Sequence, residues 1–517
     1  PPPPAEEPRR RRFRGRVVDL KGQGLPDVEV SWRKGGCATD EDGRFDGSLS
    51  DAETDVPADG ASVGSATSSA STVLSFSCKD FAPMTSVALC SAGGPEATLS
   101  VAMRPIGASA VVDAAVGGSL VDAATGSSLT VAPGGLAYPD GSPVEGPVTV
   151  QLSVIDVTDP ASLASMPGDF SAVAADGSAV YLQSLGAAWV GATDAQGREL
   201  TVREGSGGVT LDLRSKATAD PEKLGADAEM WSFNEASGKW EIEETPLRVD
   251  GELAPNSAAA SARRPGSGFG GRKKGKYPGN YNRSTAVVEG CMSPESFRQA
   301  VAREGEKSLA TNLTKLGYIN CDLAYHHPQR AVMLTGRVLT GEGAPVVGVQ
   351  LWSQGRDYHG RTPDVTGPDG RFGQMIAQFD SELDVEVQVQ TPLVDGQALE
   401  VFFESRSKLN FLSGRYDRGP EQDGQPTWER KEAWCQKRAL IAWCQRRRQW
   451  EHSCGGAIHC VREDGDEPRP PAGGEWRLSS GASPPTYQWP VTIEKRLLGP
   501  FKTGPPGEFV DLGDLVV

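Results

Sequence analysis

Apolar residues along this chain fall mostly at every second position, in short runs broken by glycine and proline. Val28, Val30 and Trp32 alternate with Glu29 and Ser31, which places the three on one face of a strand. The same pattern predicts strands over 128–132, 148–154, 180–182, 187–190, 200–202 and 209–213. Turns are marked by Pro139-Asp140-Gly141, Ala175-Asp176-Gly177 and Asp194-Ala195-Gln196-Gly197. Met230-Trp231-Ser232-Phe233 and Lys239-Trp240-Glu241 flank Ser237-Gly238, so they predict a hairpin whose two tryptophans pack across the strands. One stretch predicts a helix. Ser293-Pro294 supplies a cap and a first-turn proline, Phe297, Ala300, Val301, Leu309, Leu313 and Leu316 make a stripe, and Gly317 ends it. Residues 431–450 lack glycine and proline, but their Trp and Cys positions settle on no single helical face.

One pattern occurs twice. Phe13-Arg14-Gly15-Arg16-Val17-Val18 is followed by Gly24-Leu25-Pro26-Asp27-Val28-Glu29-Val30-Ser31-Trp32 and by Thr39-Asp40-Glu41-Asp42-Gly43-Arg44-Phe45. Its counterpart reads Thr335-Gly336-Arg337-Val338-Leu339, Gly343-Ala344-Pro345-Val346-Val347-Gly348-Val349-Gln350-Leu351-Trp352 and Thr366-Gly367-Pro368-Asp369-Gly370-Arg371-Phe372. In each, Asp-Gly before Arg-Phe predicts a tight hairpin, because glycine adopts positive φ at little cost. Trp32 and Trp352 fall at matching places in this reading.

Length, composition and charge narrow the class. A chain of 517 residues suggests about three to four domains. The 62 glycines and 38 prolines favour many turns between short strands over long helices. A net charge of −16 opposes binding to a phosphate backbone, so no nucleic-acid partner is expected. No apolar run approaches the ~18 residues of a membrane-spanning helix, so no transmembrane segment is expected. The start at Pro1-Pro2-Pro3-Pro4 reads as the inside of a linker, as in a fragment or processed chain that shows no signal peptide.

The expected fold class is mainly β: a multi-domain β-sandwich protein with one short helix. The expected organisation is a linker over 1–12, a β-sandwich over 13–108 with a flexible insertion at about 50–72, and a central β-region over 109–253. A basic flexible linker follows over 254–292, then a helix and closing segment over 293–330. A second sandwich covers 331–403, a Trp/Cys-rich module 404–490 and a C-terminal tail 491–517.

Candidate chemistry is sparse. Asp40-Glu41-Asp42-Gly43 lacks the rest of a calcium loop. His452, Cys454, His459 and Cys460 match no standard zinc spacing, and adjacent His326 and His327 on a strand would point to opposite faces. No His-Glu-x-x-His, Gly-x-Ser-x-Gly or phosphate-binding loop occurs. A non-enzymatic protein without catalytic, metal or cofactor residues is therefore expected. The nine cysteines form no Cys-x-x-Cys pair, and with two glycosylation sequons, at Asn282 and Asn312, they point to an extracellular setting. Disulfide candidates are Cys78, Cys90, Cys435, Cys444, Cys454 and Cys460. Basic runs at 9–12, 263–283 and 446–448 read as solvated charge or as contacts for acidic polymers. Trp428, Trp450 and Trp476 are candidates for stacking on sugar rings, or for the core of a small module.

The duplicated Gly-x-Val, Gly-x-x-Pro and Asp-Gly-Arg-Phe elements resemble the carboxypeptidase regulatory-like domain, a transthyretin-like seven-stranded sandwich that carries no catalytic residue. The middle of the chain is similar to the family of cartilage intermediate layer protein and its bacterial surface relatives. That resemblance rests on Met166-Pro167-Gly168-Asp169-Phe170-Ser171-Ala172, Gln183-Ser184-Leu185-Gly186-Ala187, the 231–240 hairpin and Gly317-Tyr318-Ile319-Asn320-Cys321-Asp322. The family usually has Trp where Ile319 stands, and an insertion over roughly 250–316 separates the last two motifs. The C-terminal module, through Leu412-Ser413-Gly414-Arg415-Tyr416, Trp428, Trp450 and Trp476, is similar to a Trp-rich repeat of large protist surface proteins. These resemblances imply a secreted or cell-surface structural or adhesion protein whose sandwich loops meet glycans or other extracellular proteins. The alternative is a carbohydrate-binding accessory region of a larger secreted enzyme.

Overall fold

The computed structural model describes residues 11–33, 35–49, 70–90, 97–175, 177–203, 208–220, 223, 228–250, 252–253, 299, 304–325, 330–392, 398–402, 414–422, 425–431, 438–444, 449–454, 457–463, 477–478, 486–488 and 491–517. The chain is mainly β, with several separate sheets and one short helix, Pro160–Leu163, among the described residues. It divides into two compact units, residues 1–387 with 497–517, and residues 388–496.

The first repeat folds as a seven-stranded sandwich. One sheet has the order Arg44–Leu49, Arg11–Val18, Ala97–Ala102; the other has Gly35–Ala38, Glu29–Trp32, Ala70–Ser77, Met84–Cys90. Alternation supplies the core: Phe13, Val17, Val30, Phe45, Leu74, Phe76 and Leu99 are buried between the sheets. The first strand begins inside the expected 1–12 linker and the fifth inside the expected 50–72 insertion, so both linker boundaries contract.

The second repeat has the same wiring. Its sheets run Arg371–Gln378, Ala331–Leu339, Phe509–Val516 and Arg361–Val365, Gln350–Gly355, Glu382–Pro392, Val491–Lys502. In both copies the first strand pairs antiparallel with the fourth and parallel with the seventh. The expected tail over 491–517 is thus corrected: it supplies the sixth and seventh strands of the second sandwich, and residues 393–490 lie between its fifth and sixth strands.

The matching of Trp32 with Trp352 also fails. The two copies keep one offset of 321 positions through this stretch: Gly24 and Pro345 bridge Val18 and Leu339, and Asp27 and Gly348 occupy the equivalent left-handed positions, with φ of 55° and 71°, so Trp32 corresponds to Ser353. Their amides donate to Thr39 O and Thr366 O. Trp32, itself partly buried, therefore packs edge-on against the core residue Phe13, with ring centroids 5.0 Å apart. A one-residue shift reverses faces, so Ser353 takes the inward place and Trp352 lies on the other face, 4.7 Å from the Arg361 guanidinium.

Between the repeats sits a larger sandwich. Its seven-stranded sheet has the order Ser171–Val173, Lys239–Ile242, Ala228–Asn234, Gly317–Tyr325, Ala179–Asp194, Pro147–Ile155, Ala108–Asp113. Its six-stranded sheet runs Glu252–Leu253, Arg248–Val249, Lys307–Leu313, Val209–Ser215, Ser128–Val131, Gly118–Val121. Leu120, Leu129, Val150, Val190, Leu211, Leu309 and Ile319 lie in the core they share. The strands expected at 180–182 and 187–190 are one strand, bulged between Ser184 and Gly186.

The helix expected to run from Ser293 is corrected over its second half. Lys307–Leu313 is a strand in which Lys307, Leu309, Thr311 and Leu313 are buried and the residues between them are less so. Leu309 and Leu313 fit either period; the burial of Thr311 shows that period two wins. Of the earlier part of that stretch, Gln299 and residues 304–306 are described, and the rest lies outside the described residues. In the 228–242 hairpin both tryptophans are fully buried, but the cross-strand partner of Trp240 is Phe233, at 5.2 Å, and Trp231 faces Ile242.

The second unit is one eight-stranded sheet, ordered Arg477–Leu478, Ala457–Glu463, Gln449–Cys454, Arg438–Cys444, Gln425–Lys431, Gly414–Gln422, Ala398–Phe402, Thr486–Gln488. The glycine-free stretch 431–450 is therefore extended where it is described. Trp428, Ile441 and His452 are cross-strand neighbours in successive strands, and all three are buried. Two strands separate Tyr416 from His452, yet Tyr416 Oη is 2.8 Å from His452 Nε2 and the rings meet edge-on at 5.1 Å. The sheet must curl to bring them together.

Candidate functional site

The four motifs of the middle region meet in one stretch of the seven-stranded sheet. Residues 183–188 pair with 319–323 across the bulge, and these pair in turn with 228–232. Ser171 and Ala172 of the Met166–Ala172 motif pair with Tyr181 and Val180, and Ala172 also with Trp240. The face bearing Tyr318, Asn320 and Asp322 points away from the main core, toward a second cluster containing Leu163, Met166, Phe170, Leu182, Trp231 and Trp240.

A polar chain is sealed into this region. Ser184 Oγ donates to Asn320 Oδ1 at 2.6 Å, and Asn320 Nδ2 donates to Asp322 Oδ2 at 2.5 Å. All three residues are fully buried. Burial holds the Asp322 carboxyl well above the usual carboxylate range, with the nearby Ser184 hydroxyl opposing the shift weakly. The extra residue of the bulge, Leu185, falls beside this chain and sends its carbonyl to the Ser215 hydroxyl.

The same strand receives the second sandwich. Ser184 N donates to His359 O at 2.9 Å, and a Cβ on Gly360 would stand 3.2 Å from Leu182 O. Burial lowers the His359 pKa; Asp156 opposes that shift and Lys307 adds to it. Lys307 is itself buried and donates to Ala217 O at 2.6 Å. Farther along, Lys223 Nζ donates to Asp380 O and Ser381 Oγ, both at 2.9 Å. The first sandwich joins the central region through Gly168 N donating to Thr85 O at 3.0 Å. Arg104, between the two, donates to the Ser162 and Ser165 hydroxyls. Chemically, this junction can order three sandwiches into one unit; its acid is buried from solvent.

The residues singled out from sequence are distributed differently. Trp428 is 2% exposed, so it belongs to the core of the second unit, and stacking on a sugar is corrected to a packing role. Trp450 lies opposite Trp443 in a strand register, and Trp476 lies outside the described residues. Asn312 is exposed at the end of Lys307–Leu313, its Oδ1 accepting from Thr210 at 2.9 Å; Asn282 lies outside the described residues.

The disulfide expectation is corrected at Cys78. Cys37, Cys78 and Cys321 are free thiols. Phe76 pairs with Met84 at one end of a hairpin and Ala70 with Cys90 at the other. Cys78 and Cys90 are therefore separated by about 20 Å at ~3.3 Å per residue, far beyond disulfide reach. Burial pushes the Cys37 thiol up to about 12. Cys435 lies outside the described residues; Cys444, Cys454 and Cys460 lie on strands of the second unit, where His452 stands opposite Cys460.

Sequence reasoning missed the Ser184–Asn320–Asp322 chain as a unit, although its members stood inside two quoted motifs. An Asn and an Asp two residues apart in an otherwise apolar strand were the available signal.

No family model and no curated protein matches the chain. Among solved structures it is similar to BcpA, the major pilin subunit of Bacillus cereus, at 7% identity over 82% of this chain and 93% of the pilin, with a TM-score of 0.13. A variant of that pilin gives 7% identity, 81% and 95% coverage, and a TM-score of 0.13. At that TM-score the likeness carries no argument about fold or role.

Proposed function

We propose that this chain is a non-enzymatic structural or adhesion protein of the cell surface or extracellular matrix. Its sandwiches are of the carboxypeptidase regulatory-like type and its middle region of the cartilage-intermediate-layer type. The observation that carries the reading is the repeated wiring. Two seven-stranded sandwiches with one strand order flank a central sandwich and join it through buried polar contacts. Such a unit holds its loops and edges at fixed separations, as an adhesive or matrix component requires. Val111 and Val116 beside one edge of the central sandwich, and Leu497 and Phe509 on edge strands of the second sandwich's two sheets, are exposed apolar positions suited to protein partners.

The glycan reading loses Trp428 and keeps Trp450 and Trp476 as its remaining candidates. The test is surface biotinylation of intact cells expressing the chain from its own precursor, with mass mapping after N-glycosidase treatment. Labelled protein with a glycosidase-sensitive Asn312 is expected. Unlabelled protein confined to the cytosol, with Asn312 unmodified, would overturn the proposal.

A further inference from the structure

We infer that each seven-stranded sandwich is a shear-loaded mechanical clamp, and that the second one shields the eight-stranded unit from tension along the chain. The inference stands on strand order alone and does not depend on where the chain resides. In the first copy the chain begins its fold with Arg11–Val18 and ends it with Ala97–Ala102, and these are parallel neighbours. Six rungs join them, from Phe13↔Ala97 to Val18↔Ala102. The second copy pairs Ala331–Leu339 with Phe509–Val516 in the same way, from Met333↔Phe509 to Leu339↔Val516. Met333 N donates to Glu508 O at 3.0 Å before the first of these rungs, and Val517 N to Leu339 O at 2.8 Å after the last.

Parallel pairing decides how tension acts. The flanking chain pulls the first strand toward its start and the last strand toward its end. Those directions are opposite and lie along the strand axes, so the ladder is sheared and its hydrogen bonds resist together. An antiparallel pair pulled from its shared end opens one rung at a time.

The second copy adds a consequence. Residues 393–490 connect Glu382–Pro392 to Val491–Lys502, which are hydrogen-bonded neighbours in one sheet. In the first copy only residues 78–83 fill the equivalent place. The load path from Ala331 to Val517 crosses directly between the first and seventh strands, so the inserted unit carries no tension until that pairing fails. A bidentate pair reinforces the crossing: Arg337 Nε and a terminal guanidinium nitrogen meet the Asp514 carboxylate at 3.0 and 2.9 Å.

Optical-tweezers pulling of the full chain tests this. Handles at the termini load the second clamp in shear. Handles at residues 331 and 378, which are antiparallel partners, load the same sandwich by unzipping. The rupture force should be at least about twofold higher in the terminal geometry, since forced unfolding reads the loaded barrier. Extension of the inserted residues 393–490, about 350 Å at roughly 3.6 Å each, should follow opening of the second sandwich and never precede it. Asp514→Ala, an exposed change that leaves the core intact, should lower the terminal force and leave the 331/378 force unchanged. Equal forces in the two geometries, a gain of about 350 Å before the second sandwich opens, or an Asp514→Ala effect of the same size in both geometries would overturn the inference.

Discussion

The ring of Phe372 lies against the bare Cα of Gly336, its cross-strand partner, and Phe45 covers Gly15 in the same way in the first copy. A Cβ on Gly15 would meet Phe45 Cζ at 2.5 Å and Leu99 O at 2.6 Å; on Gly336 it would meet Phe372 Cζ at 2.8 Å and Gly513 O at 3.0 Å. Each repeat keeps glycine here because an aromatic ring fills the space above the strand. Gly15→Ala should destabilise the first sandwich by about 1–3 kcal/mol, the usual cost of overpacking. Gly336→Ala should cost less, since its backbone neighbour stands farther away. Urea denaturation of the two variants, followed by Trp fluorescence, checks both the sign and the order.

A buried threonine closes the same turn in both copies. Thr39 Oγ1 accepts from Val28 N at 2.9 Å and donates to Leu25 O at 2.6 Å; Thr366 Oγ1 accepts from Val349 N at 2.9 Å. Replacing either by valine keeps the shape and leaves a buried amide unsatisfied, which costs about 1–3 kcal/mol. Serine keeps the hydroxyl. Thr39→Val and Thr366→Val should therefore lower the unfolding midpoint more than the corresponding serine changes. Equal midpoints for the valine and serine variants would show that the hydroxyl is not the group that matters.

The second unit depends on Trp428. Its side chain is 2% exposed and stands beside Ile441 in the register that continues to His452. Trp428→Ala should cost about 3–5 kcal/mol in that unit, as large-to-small core changes do. Hydrogen exchange should rise across 388–496 and stay unchanged in the first sandwich. If glycan binding vanished with exchange unaltered, Trp428 would be a contact residue after all.

Local chemistry made part of this fold legible in the sequence. The Asp-Gly turns and the alternation around Val28 and Val30 are short-range features; the turns appear as expected in both repeats, with Gly43 and Gly370 at positive φ, and the alternation in the first. Long-range pairing is different. Nothing around Phe509 or Val516 signals that their partner strand starts at Ala331, because the inserted 393–490 segment breaks the continuity that marks a repeat. Leu309 and Leu313, four apart, satisfy both the helical and the extended period, so a neighbour such as Thr311 had to decide. The buried chain through Asp322 was hidden for a related reason: Ser184 and Asn320 lie 136 positions apart and meet only through strand register.

Asp322 gives the prediction with the sharpest pH signature. In the unfolded chain its carboxyl ionises near pH ~3.9. In the fold, burial keeps it protonated well above that. Between those two points the native state holds one more proton than the unfolded state, so this group's contribution to stability falls as pH rises. The slope is up to about 1.4 kcal/mol per pH unit. Asp322→Asn removes the ionisation while its new amide oxygen can still accept from Asn320 Nδ2, as Asp322 Oδ2 does at 2.5 Å. The variant should match the native chain near pH ~4 and exceed it increasingly toward pH ~8. Comparing denaturation midpoints of the two proteins across that range cancels every other titrating group that they share. Parallel curves would mean that Asp322 is ionised inside the fold, with a cation balancing it.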